Sequence, residues 1–157
     1  MARWDIEGVL DALETYLKAN LNTKITAINT EKGDSLLSQV STSAYNKQVL
    51  NEYSVNHDPF LILGVIDNIS VVGEGPVSIQ TFNIDVIIFF SEQSASNTYK
   101  LIWRYQRALR ETIQDGYNDI FRQVKFKLSG LTPTTIAIKN DSQEHVGIGV
   151  SLTVSIT

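Results

Sequence analysis

The twelve residues from Val146 to Thr157, VGIGVSLTVSIT, alternate almost without fault. Val146, Ile148, Val150, Leu152, Val154 and Ile156 share one parity, and Gly147, Gly149, Ser151, Thr153, Ser155 and Thr157 hold the other. This is the period-two pattern of a β-strand buried on one face. No charge interrupts it. Twelve residues at about 3.4 Å each reach roughly 40 Å. A compact chain of 157 residues has a radius of gyration of about 15 Å and would be about 39 Å across. An unbroken strand of this kind therefore crosses the whole molecule. Monomeric proteins blunt exposed strand edges with charge or proline, and this strand has neither, so it is expected to offer a spare edge to another copy. Its Gly, Ser and Thr face suits close approach of a second backbone layer. A strand central to its own sheet, or bent at Gly147 and Gly149, is the competing reading.

The rest of the chain supplies helices and further strands. Ile6, Val9, Leu10, Leu13, Tyr16 and Leu17 recur at helical spacing, which predicts a first helix with Asp5 as N-cap and Asn20 and Asn22 as its stop. KITAIN, Lys24 to Asn29, then reads as a short strand. From Thr30 to Pro59 no period is sustained and Ser, Asn, Asp and Gly abound, so an irregular arm or loop is expected at about 30–59. FLILGVI is a continuously apolar run suited to a strand covered on both faces. VVGEGPV is a turn. In VSIQTFNIDVIIFF, Val77 and Ile79 are odd while Phe82, Ile84, Val86, Ile88 and Phe90 are even, which predicts a bulge or bend near Gln80 and Thr81. Leu101, Ile102, Tyr105, Leu109 and Ile113 mark a second helix from Thr98 to Gln114, ended by Gly116. Strands at Arg122–Leu128 and Thr134–Lys139 then lead into the closing strand as a meander. The expected fold is a single α+β domain over residues 1–157, with one mostly antiparallel sheet of long strands and two amphipathic helices on one face.

Composition narrows the chemistry. A net charge of −4 argues against tight general binding to nucleic acid, whose phosphates attract clustered cations. Lys100, Arg104, Arg107 and Arg110 do form one helical stripe, read as a solvated face or a contact for an acidic neighbour; Arg122, Lys125 and Lys127 form the other basic cluster. With no cysteine, disulfides, thiolate zinc sites and cysteine nucleophiles are excluded together. The acidic N-terminal stretch does not resemble a signal peptide, and the longest apolar runs are too short to span a bilayer, so an intracellular soluble protein without membrane contact is expected. His57, in the turn NHDPF, and His145, before the last strand, are the two histidines, and neither has a metal-ligand spacing or a nucleophile at hand. GEGP, Gly73 to Pro76, lacks the setting of a dinucleotide or phosphate loop. Asp67, Glu74 and Asp85 offer carboxylates but no pattern, and Trp4 and Trp103 read as core or interface residues. No catalytic, cofactor-binding or metal-binding residue is assigned, no cofactor is expected, and the chain is not expected to be an enzyme.

The order of elements points further. A short amphipathic helix, a strand, a long loop, paired strands around a Gly-Pro turn, one helix reading YKLIWRYQRALRETI and a closing strand series together resemble the tail terminator, or tail completion, proteins of long-tailed bacteriophages. The resemblance covers most of the chain and carries no short motif. It implies a virion structural protein, assembled in the host cytoplasm, that forms a hexameric ring at the neck. Such a ring caps the tail tube, ends its polymerisation and joins it to a head-side connector. DNA would pass through its lumen without specific binding. On that reading Lys32, Asp34, Tyr45, Tyr53, Glu74, Val150, Leu152 and Val154 are the expected interface residues, and the segment from Thr30 to Pro59 and the hairpin at Gly73 to Pro76 reach a neighbouring subunit or the tube. The alternatives are another neck, connector or sheath-associated phage protein, or a small α+β ligand-binding module or enzyme built on His57 and Asp58.

Overall fold

The computed structural model describes residues 5–47, 57–74, 77–116, 125–137 and 144–156. Helix α1 runs from Ile6 to Lys32 and buries Val9, Leu13, Leu17, Leu21, Ile25 and Ile28 along one stripe. Asp5 caps it by accepting the Gly8 N–H at 2.7 Å. Gly33, at φ 71°, closes it in the left-handed conformation that glycine adopts without steric cost. The helix thus continues through the expected stop at Asn20 and Asn22, and the expected strand from Lys24 to Asn29 is its last two turns. Leu21, Ile25 and Ile28 prolong the apolar stripe, and their burial outweighs the weaker helix propensity of the β-branched residues around them.

The asparagines have a different task. Asn22 donates to the Val40 carbonyl at 2.9 Å and accepts the Val40 N–H at 2.8 Å. Asn29, two turns on, makes the same pair of bonds with Leu37, at 2.9 and 3.1 Å. They hold the returning chain against α1 as a strand neighbour would. Leu37, Val40 and Ala44 enter the core there, and the Tyr105 hydroxyl donates to the Ser38 carbonyl at 2.9 Å. A short 3-10 turn, Thr42–Ala44, leads into β1, Tyr45–Lys47. The stretch from Thr30 to Lys47, expected within an arm, is therefore helix end and packed connection.

The sheet contains β2 (Phe60–Glu74), β3 (Val77–Ser91), β4 (Lys125–Gly130), β5 (Thr134–Ala137) and β6 (Glu144–Ile156). Its order is β1-β2-β3-β6-β4, with β5 also on β6; among the described strands only β1 and β2 pair in parallel, so the fold is α+β with a mostly antiparallel sheet. Helix α2, Ala95–Asp115, follows β3 with Ser94 as its cap.

Strand β6 is the interior strand. On one side it pairs with β3 from Gln80↔Ile156 to Ser91↔His145; on the other it takes β4 along its second half and β5 along its first. The expectation of a spare edge on the closing strand is overturned, because both its edges are used within the chain. The last three strands are likewise not a meander, since β4 and β5 share one side of β6. Val150, Leu152 and Val154 sit in the core beside Val86, Ile84 and Phe82 and are not available as an interface.

The glycine face is also filled from within. A Cβ on Gly147 would lie 2.4 Å from the Phe89 ring, and one on Gly149 would lie 1.8 Å from the Val86 carbonyl oxygen. The close approach that these glycines permit is that of β3. Farther along the same face, Thr153 donates to the Asn83 side chain at 2.8 Å, and Thr81 and Ser155 bond at 3.2 Å.

A candidate interaction arm

Past the rung of Gln80 and Ile156 the sheet narrows, among the described residues, to two strands. There β2 and β3 continue as a ribbon, with Val71 opposite Gln80, Val72 opposite Ile79, Gly73 opposite Ser78 and Glu74 opposite Val77. The described part of β1, Tyr45–Lys47, lies far behind, paired with Leu61 to Leu63. The ribbon is apolar where water reaches it: Ile69, Val71, Val72 and Ile79 are 45%, 59%, 69% and 45% exposed. Successive residues of a strand face opposite ways, so Val71 and Val72 put aliphatic surface on both sides of the ribbon.

The change of parity near Thr81 has its explanation here. Strand β3 carries no bulge at Gln80 and Thr81, since its register with β6 is continuous from Gln80 to Ser91. The irregularity lies across the ladder in β2, between Ile66 and Ser70. Phe82 to Phe90 put their even positions into the core under the helices. Ile79 lies beyond that core and keeps the parity of Thr81 and Asn83 on the opposite face.

The remaining expected interface residues are scattered. Lys32 is exposed in the last turn of α1. Asp34 is engaged internally: Arg104 donates to it at 2.9 and 3.1 Å, and this bonding holds its carboxyl below the usual range. Arg107 bonds Glu31 at 3.0 Å and Glu111 at 3.1 Å, which lowers the Glu31 carboxyl in the same way. Half of the basic stripe is thus spent on the end of α1, while Lys100 and Arg110 remain exposed. Tyr45 is half-buried against the core, with the Lys18 ammonium 5.5 Å from its ring centre, and burial raises its phenol. Glu74 ends β2 on the arm. Tyr53 lies outside the described residues, as does Trp4.

His57 and Asp58 lead into β2, where a ligand-binding module would place its pocket. Asp58 instead accepts the Ser91 N–H at 3.1 Å and the Ser91 hydroxyl, and that hydroxyl stands 3.3 Å from His145 Nε2. Because the serine proton goes to the carboxylate, His145 is the donor to the serine oxygen. The network ties the start of β2 to the end of β3 and the start of β6, with His145 buried near the Phe60 ring at 6.0 Å. A separate shallow cleft of about 250 Å³ lies between the helices, with the Lys24–Asp115 ion pair on its lining at 2.9 Å. Among the described residues no cluster of three potential metal ligands occurs, and no helix is long and apolar enough to cross a membrane.

The sequence reading sends the Gly73–Pro76 hairpin toward a neighbour but takes all of VVGEGPV for its turn, whereas Val71 to Glu74 are strand and Gly75 and Pro76 lie outside the described residues. The available signal was length: the strands on either side of that turn have 15 residues each, longer than the 13 of β6 beside which β3 lies. Comparison of the chain with known families finds no family model that matches, and comparison with curated proteins finds no match.

Proposed function

We propose that this chain is a virion structural protein that assembles into a ring, caps the tail tube of a long-tailed phage and joins it to the head side of the particle. Its role on this reading is mechanical and not enzymatic. The observation that carries the proposal is the apolar two-stranded ribbon. An isolated hairpin is marginal in water, and contiguous exposed apolar surface marks a site of association. A ribbon with aliphatic residues on both faces is stabilised by insertion against a neighbour. The resemblance in the order of elements supplies the kind of assembly, a hexamer, with the tube protein and a connector as partners above and below. The acidic balance of the chain suits a lumen through which DNA slides without adhering.

The experiment is to add the purified chain to the cognate tube protein while it polymerises, and to follow tube length by negative-stain electron microscopy. Capping predicts rings in the protein alone and tubes that stop lengthening, with the ring at one end. Tubes that grow unchanged beside unattached protein would contradict it.

A further inference from the structure

Two exposed apolar surfaces stand out among the described residues. One is the arm. The other is on α2, whose solvent side carries Tyr99 and Trp103, 66% and 45% exposed, one turn apart and hence on one stripe. The helix does not need them for its packing, since Leu101, Tyr105, Ala108, Leu109 and Ile113 fill the core side. Exposed Lys100 and Arg110 flank the pair. An aromatic centre with a charged rim is the make-up of an interface patch.

The two surfaces cannot meet in one protomer. Gln106, about one turn beyond Trp103, donates to the Gly149 carbonyl at 3.4 Å, and Gly149 stands opposite Ile87. Ile87 is ten residues along β3 from Val77, so at about 3.4 Å per residue the aromatic pair lies roughly 30 Å from the arm's tip. Complementary patches at different places on one molecule make a head-to-tail contact, which closes into a ring when the rotation allows. The chemistry matches as well. From Ile69 to Gly73 and from Ser78 to Gln80 the arm has no charged residue, so it brings no cation against Lys100 and Arg110. Val72 and Ile79, opposed on one rung, form a flat aliphatic pair suited to aromatic faces.

We propose that the Val72–Ile79 face of the arm seats on Tyr99 and Trp103 of the next copy. This rests on the self-assembly reading above and names the acceptor for the arm. The absence of cysteine makes a clean test possible, because any disulfide must come from introduced thiols. Chains carrying Val72→Cys and chains carrying Trp103→Cys are mixed and oxidised, with Gln114→Cys, exposed farther along α2, as the control partner. The mixture should give a covalent dimer at least tenfold above the control, and neither variant alone should self-link above it. The double variant should give a ladder of covalent oligomers. In the uncrosslinked protein, Trp103→Ala should raise the concentration for half-assembly about tenfold or more without changing the thermal midpoint of the folded chain.

Several results would overturn the proposal. Val72→Cys linking to itself would show a symmetric arm-to-arm contact. A mixture no better than the control, in a protein that still assembles and still loses assembly when the arm is shortened, would remove the acceptor and leave the assembly. A chain that stays monomeric at every concentration, with no crosslink, would remove both.

Discussion

Gly147 and Gly149 look equivalent in the repeating pattern of β6, and their surroundings are not. Gly149 faces backbone: its missing Cβ would stand 1.8 Å from the Val86 oxygen and 2.8 Å from the Ile87 Cα, and a strand in the middle of a sheet has little freedom to withdraw. Gly147 faces the edge of the Phe89 ring, a side chain stacked on Phe60 at 5.2 Å that can shift with it. Gly149→Ala should therefore cost about 1–3 kcal/mol or more, as overpacked cores do, and Gly147→Ala distinctly less. The urea midpoints of the two variants measure the difference; a larger loss at Gly147 would contradict the account. The alternation of this strand was legible in its residues and so was the burial of its even positions. What the small residues admitted was not, because period two says that a face is thin and does not say whether the covering layer belongs to the same chain.

At the scale of the element, α1 shows how a polar residue misleads. Asparagine commonly marks a helix end, since its side chain competes for backbone partners, and Asn20 and Asn22 were placed where a stop is plausible. The competition is real but directed elsewhere: Asn22 and Asn29 bond the backbone of Val40 and Leu37 across 18 and 8 residues of sequence. Nothing local reveals such a partner. Asn22→Ala should leave the Val40 N–H and carbonyl without their bonds beside a buried side chain, at a cost of about 1–3 kcal/mol. The loss should appear first as faster amide exchange and proteolysis over residues 33–47, before the rest of α1 is affected. Uniform loss across the whole molecule would argue that the segment is not held separately by these asparagines. The second helix, by contrast, was legible nearly to its ends, because six core positions on one side leave little ambiguity. The hairpin was half legible: its two apolar strands were placed and the second was expected to run past the edge of the domain, but Val71 to Glu74, read as turn, are strand.

The described residues form a sheet in which the last strand is interior and the β2–β3 hairpin projects. The class, α+β with a mostly antiparallel sheet, follows from the periods of the segments taken together. Strand order does not, since neighbours in this sheet are set by pairings as distant as Gln80 with Ile156. The expectation that spare β-structure would complete a neighbour moves accordingly, from the closing strand, which is paired along both edges, to the β2–β3 ribbon, beside which no third strand lies among the described residues. The most direct measurement is the solution mass of the intact chain beside one in which Val71–Gln80 is replaced by Asn-Gly. Ser70 and Thr81 are opposed on one rung, so a two-residue turn can close the shortened hairpin without disturbing the core. By light scattering the intact chain should form a closed multiple of its 17.5 kDa, six copies in the reading proposed, and the shortened chain should remain a monomer with its fold retained. Equal subunit numbers for the two, whether both single or both assembled, would contradict an arm that joins one copy to the next.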